Sequence, residues 1–190
     1  SRDRDVVGYG SKCYFVKDSS VISIADLDND TVTAFYDADT LNINDLSICD
    51  NYLVLTGNIQ AKAEFKYNVY AIVLDCRTGE EILFKYIATS GIQGYSRLAK
   101  EMLYCSVDNY ILAADLKTGQ TIWSNQEPGL TSIEPCTVTS EIIVKYGSDS
   151  IIAYNKGDGA ILYKIEDKTP TYTQYIYQSI YYIIFLFSYK

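Results

Sequence analysis

An apolar run, then Asp-x-x-Thr-Gly, then a second apolar run occurs at VYAIVLDCRTGEEILF (69–84) and again at NYILAADLKTGQTIW (109–123). Gly79 and Gly119 stand 40 residues apart, and 40 residues further on Gly159 closes a weaker copy, SIIAYNKGDGAILY (150–163). One such pattern would specify only a hairpin. Three in a fixed frame specify repeat units that cannot each bury an apolar face alone and must stack on their neighbours.

Each copy reads as two strands reversed by a tight turn. Alternating Ile, Val, Leu, Tyr and Ala suit a pleated strand with a buried face. Asp75 and Asp115 are placed to accept backbone N–H groups of the turn that follows, with Thr78 and Thr118 beside the glycines. Gly79 and Gly119 can take the positive φ that such a turn requires. Nineteen tyrosines and only three prolines favour sheet over helix, and turn residues every 8 to 12 positions argue against a helical repeat.

The same unit runs through the chain. GSKCYFVKDSSVISIADLDND (10–30) lies on AKEMLYCSVDNYILAADLKTG (99–119) without a gap, placing Lys12 on Glu101, Asp26 on Asp115 and Asp30 on Gly119. This predicts strands at 13–17, 21–25 and 31–36, with a further strand opening each unit at 42–49, 94–99, 132–139 and 172–178. The expected fold is all-β: a β-propeller of four-stranded antiparallel blades within one domain, 1–190, with units at approximately 1–36, 42–86, 94–124, 132–166 and 172–190. The last unit is half a repeat. Open blades expose strand edges, so the expectation is part of a larger ring of about six to eight blades, with four blades closed by paired terminal half-sheets as the alternative.

AADLKTGQTIW carries Ala113, Asp115, Thr118, Gly119 and Trp123 in the spacing Ala-x-Asp-x-x-Thr-Gly-x-x-x-Trp. In this the chain resembles the pyrroloquinoline-quinone (PQQ)-type, quinoprotein-like β-propeller repeat family. The tryptophan position holds Leu83 in the second unit and Tyr163 in the fourth, where Thr-Gly becomes Asp158-Gly159. The resemblance implies that Trp123 packs between adjacent blades. Quinoprotein dehydrogenases of that family use a bound calcium, a catalytic aspartate and commonly a vicinal Cys-Cys pair, and no such dipeptide stands here; non-catalytic, scaffold-type members bind no cofactor.

With 24 acidic against 16 basic residues the net charge is −8, which disfavours nucleic acid as a partner. The longest apolar run, 180–187, is far short of the ~20 residues of a membrane helix, so no membrane insertion is expected. No targeting pattern is legible and the compartment stays open: the resemblance favours an extracytoplasmic or secreted setting, while an odd number of cysteines argues against it. Cys13, Cys49, Cys76, Cys105 and Cys136 form no Cys-x-x-Cys pair and read as buried thiols.

The chain has no histidine. The commonest transition-metal ligand and the usual base of a serine or cysteine nucleophile are therefore missing, and no metal or cofactor is expected. Asp26, Asp28 and Asp30 superficially resemble a calcium loop without its glycine and distal glutamate, and read instead as a solvated turn. Gly8-Tyr9-Gly10 lacks the helix and lysine of a phosphate loop.

Two functions remain. The preferred one is a non-enzymatic scaffold or binding module presenting blade connections to a protein or glycan. The alternative is a piece of a propeller enzyme, quinoprotein dehydrogenase-like or glycan-directed, with its catalytic residues elsewhere. The frame is broken by added residues at 57–68, GNIQAKAEFKYN. There Phe65 and Tyr67 offer contact area, and Lys62, Glu64 and Lys66 could orient an acidic or hydroxylated partner. The competing reading is a longer hairpin in which Phe65, Tyr67 and Val69 extend the strands.

Overall fold

The computed structural model describes residues 6–61, 65–127, 136–147 and 150–166. These form four sheets of four antiparallel strands, each a simple meander in chain order. Blade 1 is β1 (Val6–Tyr9), β2 (Lys12–Val16), β3 (Val21–Asp26) and β4 (Thr31–Asp37), and blade 2 is β5 (Asn42–Cys49), β6 (Tyr52–Gln60), β7 (Tyr67–Asp75) and β8 (Glu81–Ser90). Blade 3 is β9 (Gly94–Ala99), β10 (Met102–Val107), β11 (Tyr110–Asp115) and β12 (Thr121–Gln126), and blade 4 is β13 (Thr137–Val138), β14 (Ile142–Tyr146), β15 (Ser150–Asn155) and β16 (Ile161–Glu166). The first strands β1, β5, β9 and β13 are neighbours from blade to blade. The expected half-unit at 172–190 and the first half, 132–135, of the strand expected at 132–139 lie outside the described residues.

The core is a series of layers between blades, because the middle strands present apolar side chains to both sides. Tyr14, Ile22 and Ile24 of blade 1 meet Leu53, Leu55, Ile72 and Leu74 of blade 2. Val54, Ala71 and Val73 on the opposite face of blade 2 meet Leu103, Cys105 and Leu112 of blade 3. Tyr104, Ile111, Ala113 and Trp123 then meet Ile143, Ile152 and Tyr154 of blade 4. Fully buried Leu, Ile and Val contribute about 1.5–3 kcal/mol each relative to exposure, so these layers are the main favourable term.

The Asp-x-x-Thr-Gly turns have the geometry that their residues dictate. Asp75 Oδ1 accepts the N–H groups of Arg77 (2.8 Å) and Thr78 (3.0 Å), and Asp115 Oδ1 accepts the Thr118 N–H (2.7 Å) and hydroxyl (2.8 Å). Gly79, Gly119 and Gly159 sit at φ 75°, 68° and 72°, each donating its N–H to the carbonyl four residues back at 2.9 Å.

The same glycines serve the joins between blades. A Cβ on Gly159 would lie 2.5 Å from Trp123 Cε3, one on Gly119 3.0 Å from Leu83 Cδ1, and one on Gly79 3.4 Å from Phe35 Cε2. In every case the bulky side chain comes from the last strand of one blade and the glycine from the turn of the next. Trp123 is 8% exposed and its indole N–H donates to Lys156 O at 3.1 Å. Tyr14 donates its hydroxyl at 2.6 Å to Cys76 O, the acceptor at the equivalent place in blade 2.

Two details depart from the sequence alignment. Lys12 pairs with Asp26 while Met102 pairs with Asp115, so Lys12 corresponds to Met102 and not Glu101, and Tyr14 to Tyr104. The gapless superposition fails because one more residue lies between the paired Val16 and Ile22 than between the matching pair Ser106 and Ile111. A bulge in β8 and β12 turns Ile82 and Ile122 outward and aims the next residues, Leu83 and Trp123, at the following blade. In β4 the bulge falls on Phe35 itself, so Phe35 takes the place that the alignment gives to Ala34.

Trp123→Ala should cost about 3–5 kcal/mol through lost burial and a cavity, read as a drop in denaturant midpoint. Both Gly119→Ala and Gly159→Ala force a side chain into left-handed backbone. Gly159→Ala should be the more damaging, since it meets a rigid indole and Gly119→Ala only the end of a leucine. In a Trp123→Leu background its penalty should shrink by roughly 0.5–3 kcal/mol, the range for residues in contact. Additive penalties in that double-mutant cycle would refute the join.

Candidate binding face

The connections fall on two opposite faces. One carries the Asp-x-x-Thr-Gly turns with the β1–β2, β5–β6 and β9–β10 turns. The other carries the links between blades, the β6–β7 hairpin and the β10–β11 turn. The first is committed to structure. Hydrogen bonds hold the carboxyls of Asp26, Asp75 and Asp115 below the ordinary aspartate value: chiefly the Asn29 side chain for Asp26, the Arg77 N–H for Asp75 and the Thr118 N–H for Asp115. Asp26, the start of the acidic triplet, receives the N–H groups of Asp28 (3.0 Å) and Asn29 (3.2 Å). Among the described residues, no group of three or more acidic or cysteine side chains is placed to hold a metal.

The second face is built around blade 2, whose middle strands are nine residues long against six in blade 3. Most of the added segment continues the ladder: Gly57 pairs with Tyr70, Asn58 with Val69, Ile59 with Asn68 and Gln60 with Tyr67. Tyr67 and Val69 stand in β7, Tyr67 half-buried and Val69 buried. Phe65 and Lys66 sit at the tip, both exposed; Phe65 is 85% exposed. Lys62 and Glu64 lie outside the described residues. Among the described residues six non-glycine positions have positive φ, five of them Asp or Lys; Phe65, at 58°, is the aromatic one, in a conformation that bulky side chains avoid.

Beneath the tip, Asn42, Asn58, Tyr67, Gly91, Ile92, Gln93 and Tyr95 line a groove of about 340 Å³ where blade 2 meets the link to blade 3. A smaller groove of about 180 Å³ runs from Ile87 and Thr89 to Asp108, Tyr110 and Gln126. Behind it the Lys145 ammonium, fully buried, donates to the carbonyls of Asp108 and, at 3.0 Å, Tyr110. Burial lowers its pKa to about 8. Between the inner strands, Arg97 grips buried Asp45 through both its terminal nitrogens, at 2.6 and 3.3 Å. Sequence reasoning missed Lys145 and the Arg97–Asp45 pair, since neither stands in a motif.

No protein-family model and no curated protein matches the sequence. Among solved structures the chain is similar to BamB from Moraxella catarrhalis, with 17% identity and a TM-score of 0.60 over 84% of this chain and 47% of that one. It is similar to a Gly-Ser loop-6CD variant of KlHsv2, with 12% identity and a TM-score of 0.60 over 84% and 50% of the two chains. The computationally designed Ika8 protein matches at 12% identity and a TM-score of 0.51, over 85% of this chain and 61% of that one.

The fold is a β-propeller. The chain spans about half the length of the BamB and KlHsv2 structures. At these identities the likeness concerns the fold alone.

Two pH effects follow from this propeller. The depressed aspartates contribute stability that is present above the ordinary aspartate pKa of 3.8 and is lost as pH falls through their lower folded-state values. Wild type should therefore lose denaturant midpoint below pH 3.8 more steeply than a variant with Asp26, Asp75 and Asp115 changed to Asn. For Lys145 the sign is opposite. Between about 8 and its ordinary 10.5 the unfolded chain binds a proton that the folded one has shed, so its contribution rises with pH. The stability difference between wild type and Lys145→Met should move in favour of wild type from pH 7 to pH 9, and a flat difference would overturn that assignment.

Proposed function

We propose that this propeller is a non-enzymatic binding module that engages a protein partner through the tip of the β6–β7 hairpin. The observation that carries this reading is Phe65, an aromatic ring left 85% exposed at φ 58° above the tallest of the described sheets. Backbone strain of this kind costs of order 1–3 kcal/mol and points to a use outside folding. A large rigid ring beside Lys66 has the character of an interface anchor. The hairpin is fixed on both sides: β7 is paired to β6 and β8 over its whole length, and Ala61 N–H donates to Lys66 O at 2.9 Å. Such an anchor sits pre-organised on a frame that does not need it for stability.

A photo-crosslinking residue at position 65 should capture a discrete partner from the native source, whereas the same residue at Asp28, on the opposite face, should not. Phe65→Ala should leave the melting midpoint nearly unchanged, as exposed changes usually stay within about 0.5 kcal/mol, and should abolish capture from a probe placed at Lys66. Equal capture at positions 28 and 65 would sink the proposal.

A further inference from the structure

The outer strand of blade 2 carries an aromatic row that the outer strands of the other blades lack. Cross-strand partners share a face, so the pairings with each third strand identify equivalent places on the fourth. Two of these places hold Ala34 and Asp37 in β4, Ser124 and Gln126 in β12, and Lys164 and Glu166 in β16. In β8 they hold Phe84 and Tyr86. The two rings are 47% and 50% exposed, and both rest on Tyr70, at centroid distances of 5.1 and 5.6 Å. The bulge at Ile82 brings Glu81 into the same row, opposite Leu74. Its carboxylate accepts the Tyr36 hydroxyl at 2.7 Å and enters none of the ion pairs among the described residues.

Charged side chains on an outer strand discourage another chain from pairing with it, and β8 has little of that protection. It ends its sheet, and no other strand of the described residues pairs with its outer edge. Between its two bulges Leu83–Tyr86 runs regularly against β7. Lys85, the cation of this stretch, is drawn away, its Nζ donating to Gly119 O at 2.8 Å.

We propose that β8 receives an extended peptide of another protein as a fifth strand of blade 2. Main-chain hydrogen bonds to Leu83–Tyr86 hold it, two alternate aliphatic side chains cover Phe84 and Tyr86, and a lysine or arginine beyond them answers Glu81. The sign of that charge follows from Glu81, an exposed carboxylate without a cation, beside which an acidic residue is repelled. Spacing decides for a strand over a proline-rich helix. Side chains on one face of a strand recur every ~6.8 Å, the step from Phe84 to Tyr86, whereas polyproline repeats every ~9.3 Å and offers no N–H at its prolines.

This inference does not depend on the hairpin contact, and its readout is separate. The full chain, with its backbone amides isotope-labelled, would be titrated by NMR with the end-blocked peptides Lys-Thr-Val-Thr-Val-Thr and Thr-Val-Thr-Val-Thr-Lys, which place the cation at either end. A saturable shift of the Leu83–Tyr86 amides with at least one of them is expected. Binding should be about two- to fivefold weaker when glutamate replaces its lysine, and about tenfold or more weaker when proline replaces its central threonine. Phe84→Ser combined with Tyr86→Gln, the blade 3 residues at these places, should weaken it about tenfold or more with the rest of the spectrum unchanged. Glu81→Gln, a milder variant, should abolish the preference for lysine over glutamate. No shift at several millimolar peptide, equal binding of the proline peptide, or an undiminished lysine preference in Glu81→Gln would each overturn the assignment. So would concentration-dependent shifts of the same amides in the protein alone, which would give the edge to a second copy of the chain.

Discussion

Every join between the described blades depends on a large side chain from one blade lying over the turn glycine of the next. Two independent demands fall on that glycine. The turn needs positive φ and the neighbour needs the space that a Cβ would fill, so an alanine at Gly159 fails on both counts at once. Apolar contact alone would not set the angle between sheets, because burial is non-directional. Direction comes from hydrogen bonds to the same turns. Trp123 and Tyr14 donate to the carbonyls of Lys156 and Cys76, and Lys85 Nζ and Asn125 Nδ2 donate to Gly119 O (2.8 Å) and Gly159 O (3.3 Å).

This arrangement separates the molecule's two faces by task. The face of the turns is occupied by the joins, and a change there is felt in the neighbouring blade. The opposite face carries connections whose length the joins do not restrict, so β6 and β7 can lengthen without disturbing the layers beneath. The Arg97–Asp45 pair strengthens the frame near the centre. Removing two charges from water is costly, and the bidentate geometry offsets that cost only while both partners are in place. It therefore ties blade 2 to blade 3 in one arrangement more than it adds net stability.

Much of this was legible in the chain because a period of 40 residues and its turn residues are local signals. The strands opening blades 2 and 3 fall where the alternation put them, at Asn42–Cys49 and Gly94–Ala99. What escaped were the offsets of one residue. Aligning Lys12 with Glu101 looked sound because both precede apolar runs, but cross-strand pairing chooses which residues share a face, and one extra residue in the turn moves Tyr14 onto the Tyr104 position. Phe35 was hidden for the same reason: a bulge is a property of two strands, and the alignment compared one with another of its kind. Of the candidate contact, Phe65 and Tyr67 were visible as aromatics in an added segment. The amides beneath them were not, since Asn42, Asn58 and Gln93 lie far apart in sequence and converge only through β5, β6 and the β8–β9 link.

Lys145 shows how a buried charge can serve the frame of such a molecule. Lys145 stands where blades 2 and 3 have Leu55 and Cys105, a core position by its pattern, and its charge is answered by the carbonyls of Asp108 and Tyr110. An ammonium so placed is a brace between blades 3 and 4, and its depressed pKa reflects burial, with no chemistry implied. A brace left unmade would cost stability with no return, and Lys145 completes the protein's own hydrogen bonding.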